Sequence, residues 1–410
     1  MTNFTENLKK YAEVTVKIGL NIQKGQTLLV AAPLVAVDYV RAVATAAYSA
    51  GAKNVHVEWN DEELTRIKYE QAPDEAFSEF PVWKAKGYEE MAKEGCAYLA
   101  IYASNPDLLK GINPDRISTA NKTMAQHMKE FRNITQSSQI SWCVVSVPTK
   151  EWAAKVFPKV SQEDQVDALW EAIFTCTRAN LDNPVKAWEE HSSNLLSRVQ
   201  YLNEKKYKKL HYRAPGTDLT IELPEKHVWV GGGGKNAKGI SFTPNIPTEE
   251  VFTTPKKDGV NGIVTSTMPL IYSGNVINGF SLTFKEGKIV EISAEEGYET
   301  LKRLIETDEG ASFLGEVALV PHSSPIAQSN TIFYNTLFDE NASNHLAIGS
   351  AYPICMENGT SMSQEELSQN GSNTSLVHVD FMIGSAQMDI DAITADGEIE
   401  PLFRNGSWVK

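Results

Sequence analysis

The stretch LVHVDFMIGS, residues 376 to 385, is apolar except for an imidazole and a carboxylate two positions apart. Side chains alternate faces along a strand, so Val377, Val379, Phe381 and Ile383 form one apolar face while His378, Asp380 and Met382 point the other way. A carboxylate in such a setting needs hydrogen-bond donors or a cation, and His378 can serve as its partner in an ordinary core or as co-ligand to that cation. Similar residues recur upstream. In FLGEVALVP, Glu316 alternates with apolar neighbours and is expected to share a face with Leu314, Ala318 and Val320. In NTLFDENASNHLAIGSAYP, Glu340 and His345 have a spacing that a loop or a first helical turn brings to one centre. In NIPTEEVFTTP, Glu249 and Glu250 sit between two prolines in a rigid, loop-like setting. Each segment alone has an innocent role: a sheet-edge charge, a helix cap, a core histidine, surface acids. Together they fit the way divalent metals are held, by Asp, Glu and His scattered along a chain rather than by a compact motif.

Two other features compete for attention. The glycine run Gly231 to Gly234 is followed by Lys235, but a phosphate-binding P-loop also needs a Ser or Thr after the Lys and a glycine five residues before the last one; here those positions are Asn236 and Trp229. A loop near a ligand or a hinge is the better expectation. In QMDIDAI, Asp389 and Asp391 alternate as His378 and Asp380 do.

The elements that must position these groups fall into two sets. In the first ~200 residues helical periodicity alternates with short apolar runs, TLLVAA, NVHVEW, CAYLAIYA and ISWCVVSVP, which predicts an α/β domain with a mostly parallel sheet. The Ala-rich helix VDYVRAVATAAYSAGA, stopped by Gly51, fits a crossover between the first two strands. No glycine fingerprint for a nucleotide follows any of them. The pattern is helical from about Glu163 to Tyr201, and NEKKYKK then makes a boundary, giving an expected N-terminal domain over 1–205 and a catalytic domain over 206–410. The second half is rich in short strands, with turns expected at Ser273-Gly274 and Glu286-Gly287, and reads as α+β with mixed or antiparallel sheet.

A length of 410 residues suits two domains, and a net charge of -14 argues against nucleic acid or an anionic membrane surface as partner. No run approaches the ~18 apolar residues of a membrane span, and the amino terminus lacks a charged region followed by an apolar core, so a cytoplasmic protein is expected. Cys96, Cys143, Cys176 and Cys355 are scattered without a metal or disulfide pattern and are expected to be reduced core thiols.

The segments NIPTEEVFTTP, LGEVALVP, NTLFDENASNHLAIGSAYP and HVDFMIGS, in this order and spacing, resemble the aminopeptidase T/aminopeptidase S family of metallopeptidases, peptidase family M29, and the likeness extends over essentially the whole chain, GTDLTIELP included. The resemblance implies a cocatalytic pair of divalent ions, zinc, cobalt, magnesium or manganese, held by Glu250, Glu316, His345, His378 and Asp380, with Glu340 close enough to be a further ligand and Tyr352 beside the metals; the roles expected of these two are ligand or general base for Glu340 and oxyanion donor for Tyr352. Glu316 is expected to bridge, and preference for Glu250 over Glu249 rests on the family pattern alone. Asp389 and Asp391, which no matching segment covers, are expected to stand apart. The implied activity is release of N-terminal amino acids from short peptides by a bridging hydroxide, in a homodimer. A metal-dependent esterase or amidase, or a non-catalytic metal-containing peptide-binding protein, would keep the same ligands.

Overall fold

The structure, a computed structural model, describes residues 3–103, 105, 108–272 and 275–409. The chain divides into two compact units, one of residues 1–190 and 233–247, the other of residues 191–232 and 248–410. The second unit thus begins inside the helix Pro184–Lys205, and a segment that starts within the glycine run, at Gly233, returns to the first unit.

In the first unit, β1 (Thr27–Pro33), β2 (Asn54–Asn60), β3 (Ala97–Tyr102) and β4 (Trp142–Ser146) form a parallel sheet in the order β2-β1-β3-β4. These are the four apolar runs read from the sequence. The helix Val37–Ser49 crosses between β1 and β2, and Gly51 ends it with φ +97°, a conformation that a side chain would oppose. The helical stretch expected over 163–201 is instead two helices, Gln165–Cys176 and Pro184–Lys205. Arg178 at φ 60° breaks the run, and Pro184 starts the next helix where its missing N–H costs nothing.

The second unit is α+β with antiparallel sheets. An eight-stranded sheet runs from Lys288–Ser293 through Ser281–Lys285, Val260–Thr265, Thr217–Glu222, Lys209–Ala214, Asp389–Ile393 and Ile399–Arg404 to Ser407–Trp408. Glu286 and Gly287, both at positive φ, make the expected tight turn, while the turn expected at Ser273-Gly274 lies outside the described residues. A five-stranded sheet has the order His378–Met382, His345–Gly349, Leu314–Leu319, Val251–Thr253, Val230–Gly231, every neighbour antiparallel. One face of this sheet, with Val251, Val317, Leu319, Leu346, Ile348, Phe381 and Ile383, joins Leu210, Leu219, Ile221 and Ile390 of the larger sheet in one apolar core. Its other face is left for polar groups.

Leu314 departs from the alternation expected of its strand. Leu314 pairs with Ile348 and Glu316 with Ala347, so two residues on one strand oppose a single step on the other, a β-bulge at Gly315. Leu314 therefore joins the core instead of sharing the face of Glu316. The bulge requires glycine, because a Cβ at 315 would lie 2.3 Å from the Ser350 carbonyl oxygen. All four cysteines are buried and free.

Candidate metal centre

Cross-strand register gathers the predicted residues. Glu316 lies opposite Ala347 and Ala347 opposite Asp380; one step along, Ala318 lies opposite His345, and Gly349 opposite His378. Paired residues share a face, so Glu316, His345, His378 and Asp380 all project from the side away from the core. Glu250 immediately precedes the strand Val251–Thr253, which pairs with Leu314–Leu319. The residues between these side chains on this face include the small Ala318 and Ala347, while position 349 requires glycine, because its φ is +105° and a Cβ there would lie 2.2 Å from the Val377 carbonyl oxygen.

The distances are those of groups arranged around ions. Nε2 of His345 stands 3.1 Å from Glu250 Oε2 and 3.4 Å from Glu316 Oε1. Nε2 of His378 stands 3.6 Å from Glu316 Oε2 and 3.4 Å from Asp380 Oδ1. Metal–ligand bonds of about 2.0–2.2 Å at angles between octahedral and tetrahedral put ligand atoms roughly 3.0–3.5 Å apart. Two groups, Glu250–Glu316–His345 and Glu316–His378–Asp380, each present ligand atoms within 4.8 Å of one another, and Glu316 is common to both.

Both imidazoles are oriented from behind. Nδ1 of His345 donates to the Ser343 carbonyl at 3.0 Å, and Nδ1 of His378 donates to the Ser350 carbonyl at 2.6 Å. Each ring thus turns Nε2 toward the carboxylates, the arrangement in which a backbone carbonyl fixes the tautomer of a ligating histidine. The Ser350 carbonyl is the one that packs on Gly315.

The electrostatics call for positive charge. Burial opposes a charged His345, but hydrogen bonds to Glu250 and Glu316 outweigh it and hold its pKa well above the ordinary value. Burial likewise opposes charge on His378, yet Asp380 and Glu316 push its pKa up to about 10. Glu316 is raised by burial first and then by the charge of Asp380; Glu340 is raised well above its ordinary value by burial and by Glu250 and Asp380. Asp380 is lowered, because the charge of His378 outweighs its burial. Asp380 Oδ1 is buried without a well-formed hydrogen bond. An orphaned carboxylate oxygen facing imidazole nitrogens is what a bound cation satisfies, so these residues fit divalent metal.

Glu340 belongs to neither three-residue group. It lies in the turn Glu340–Ala342, feels Glu250, Asp380 and Glu316, and takes an Asn341 Nδ2–H at 3.4 Å. Tyr352 follows the strand His345–Gly349 with its ring centroid 4.6 Å from that of His378. The residue is 39 % exposed, but its phenol is pushed up by burial and then by the charges of Glu316, Asp380, Glu340 and Glu250, so it keeps its proton.

Neighbouring acids take other roles. Glu249 turns to His191, with Oε2 3.5 Å from Nε2, while its backbone N–H donates to Asn341 Oδ1 at 2.7 Å. Adjacent residues in extended chain point oppositely, so Glu249 braces the segment that presents Glu250. Asp391 is buried between Arg213 and Arg404, and Asp389 accepts the Asn405 N–H, so this pair is structural. The glycine run serves close packing: a Cβ at Gly231 would lie 2.6 Å from the Glu250 carbonyl oxygen. The positioning groups that the sequence reading missed are the carbonyls of Ser343 and Ser350, Asn341, and the small residues at 318, 347 and 349. The last left a signal, since Ala347 and Gly349 share the parity of His345.

Comparison with known proteins agrees with this geometry. Residues 4–408 match the family described as thermophilic metalloprotease (M29). The chain is 57 % identical over 408 residues to aminopeptidase 2 of Geobacillus stearothermophilus, covering 100 % of this chain and 99 % of that protein. It is 43 % identical over 409 residues to aminopeptidase T of Thermus thermophilus, covering 100 % of each. The solved structure of wild-type AmpT from Thermus thermophilus superposes with a TM-score of 0.94 at 42 % identity, over 99 % of this chain and 100 % of that one.

Proposed function

The chain belongs to the M29 metalloprotease family and is a metal-dependent aminopeptidase, and we propose that it works through two divalent ions that share Glu316. The sharing of Glu316 by two groups of ligand geometry is the observation that carries this reading. Glu250 and His345 would complete one position, His378 and Asp380 the other. The carboxylates Glu250, Glu316, Glu340 and Asp380 balance the charge of two such ions, and a donor set of oxygen and imidazole suits zinc, cobalt, magnesium or manganese. Held there, divalent ions would supply Lewis acidity at the scissile carbonyl and would lower the pKa of a water toward neutrality.

The remaining roles fall to the chain. Tyr352, protonated and beside His378, donates its hydroxyl proton as a hydrogen bond to the oxygen that gains charge as the peptide carbonyl becomes tetrahedral. Glu340, which feels the charges of Glu250, Asp380 and Glu316 but lies outside both groups, would take a proton from the attacking water and hand it to the departing amine. The Ser343 and Ser350 carbonyls hold the imidazoles so that neither reorients during the reaction. The acidic cluster offers a free amino terminus a partner that a blocked terminus lacks, which restricts cleavage to the first residue.

A homodimer and a cytoplasmic setting belong to the same proposal. The family likeness supports the first; among the described residues no helix is long and apolar enough to cross a membrane. The test is a mass-spectrometric time course on short peptides with free and acetylated amino termini. Single residues should leave the free peptides in order while acetylated ones stay intact. Internal fragments as first products, or equal cleavage of both sets, would end the aminopeptidase reading.

A further inference from the structure

One row of residues crosses every strand of the five-stranded sheet on its ligand face. Val230 lies opposite Phe252, Phe252 opposite Ala318, Ala318 opposite His345 and His345 opposite Met382. Paired residues share a face, so all of these side chains stand on the side that holds the ligands. Burial divides the row: Met382, His345 and Ala318 are buried, whereas Val230 and Phe252 keep part of their surface open. Phe252 stands two interstrand steps, about 10 Å, from His345, with only the methyl group of Ala318 between them in the row. It also follows Glu250 by two residues and so projects to the same side as that carboxylate. Its ring meets that of Tyr352 edge to face with centroids 6.2 Å apart, and Tyr352 packs on His378 with centroids 4.6 Å apart.

In the first residue of a peptide the amine, the side chain and the carbonyl all hang from one carbon. With the amine at the acidic cluster and the carbonyl oxygen at the Tyr352 hydroxyl, the side chain must lie within a few ångströms of both. Phe252 borders both, being two residues from Glu250 and in ring contact with Tyr352. We infer that Phe252 sets the preference for the first residue of the substrate: with Val230 and the ring of Tyr352 it forms an apolar shelf on which that side chain lies, so that leucine-like and phenylalanine-like residues are favoured over alanine. Val230 and Phe252 offer contact area without charge or hydrogen-bonding groups, so the discrimination is by apolar surface removed from water. The inference rests on the aminopeptidase reading above and adds to it a substrate class.

The test compares Leu-Gly-Gly with Ala-Gly-Gly by kcat/KM for release of the first residue from the metal-loaded enzyme. A single methylene against an apolar wall is worth about tenfold or more, so wild type should favour the leucine peptide by at least about tenfold. In Phe252→Ala that ratio should fall by at least about fivefold with metal content unchanged, and Phe252→Val, which suits a strand and shortens the shelf, should give an intermediate ratio. A residue that only supported its strand would lower both rates together and leave the ratio alone. Independently of turnover, calorimetry on analogues whose first peptide bond is replaced by a methylene-amine should show the leucine analogue bound at least about fivefold more tightly than the alanine analogue by wild type, and the difference lost in Phe252→Ala. A wild-type enzyme indifferent to leucine or alanine in first place, an unchanged ratio in either folded variant, or a change that follows the second residue in Ala-Leu-Gly against Ala-Ala-Gly overturns the inference alone. Peptides that are not cleaved at their first bond overturn the aminopeptidase reading, and this inference with it.

Discussion

Asp380 and Asp391 lie on successive strands and look alike in sequence, yet changing each to Asn should break different things. The Asp391 carboxylate is 7 % exposed and pairs with Arg213 and Arg404, whose side chains are 46 % and 37 % exposed. Breaking a fully buried pair costs about 3–5 kcal/mol, and an exposed pair contributes under about 1 kcal/mol. With the carboxylate buried but both guanidinium groups partly in water, Asp391→Asn should cost ~2 kcal/mol. In a unit of roughly 200 residues that lowers the melting temperature by about 4–8 °C, while activity per folded molecule at 25 °C stays within about twofold. Asp380→Asn relieves repulsion on Glu316 and Glu340 but also takes away the carboxylate that pairs with His378, so the metal-free protein should melt somewhat lower than wild type as well. Its metal affinity and kcat/KM should fall by more than the roughly 10–100-fold that losing a group behind a ligand costs. Thermal melts with and without chelator, metal content and first-residue release decide the matter. Equal activity losses, or an inactive Asp391→Asn protein of full stability, would show that the site has been misplaced.

Three further outcomes follow from the same geometry. Tyr352→Phe should lower kcat by ~10²–10³ with metal content unchanged, because one hydroxyl donor goes and no ligand does; metal loss in step with activity would make Tyr352 structural. Ala347→Leu, which fills the gap between Glu316 and Asp380, should cost about 1–3 kcal/mol in stability and cut metal content and activity together at least tenfold, and a fully loaded active variant would contradict the register argument. The Asp391 carboxyl, despite its burial, is held below its ordinary value of 3.8 by Arg404 and Arg213, so its stabilisation is complete above about pH 4 and lost as pH falls through the lower folded value; the gap in melting temperature between wild type and Asp391→Asn should narrow only in that acid range.

The parts of this architecture set by periodicity were legible without coordinates. Four apolar runs spaced by helical segments became the four parallel strands, and the alternation around His378 and Asp380 separated the polar face from the core face. Two kinds of information were not local. The bulge at Gly315 moves Leu314 to the core; the glycine in LGEVAL is the one local sign of it, and why it is needed is visible only against the Gly349 and Ser350 carbonyls that crowd it. The choice between Glu249 and Glu250 is likewise made by partners far along the chain, His191 and Asn341 for one and His345 for the other. The break at Thr177 to Asn183 did leave a sign, Asn180, Asp182 and Asn183 ahead of Pro184, which the reading of one helical stretch passed over; in the structure Arg178 in a left-handed conformation marks the stop.

The central claim is that two divalent ions share Glu316 and that catalysis needs both. Chelator-stripped protein should be titrated with one divalent metal while bound ions per chain and the rate of first-residue release are read on the same samples. The account predicts negligible release at zero occupancy and a plateau reached only as occupancy approaches two, with Glu316→Gln unable to reach that occupancy. Full activity in stripped protein, a plateau at one ion per chain, or normal loading of Glu316→Gln would contradict it.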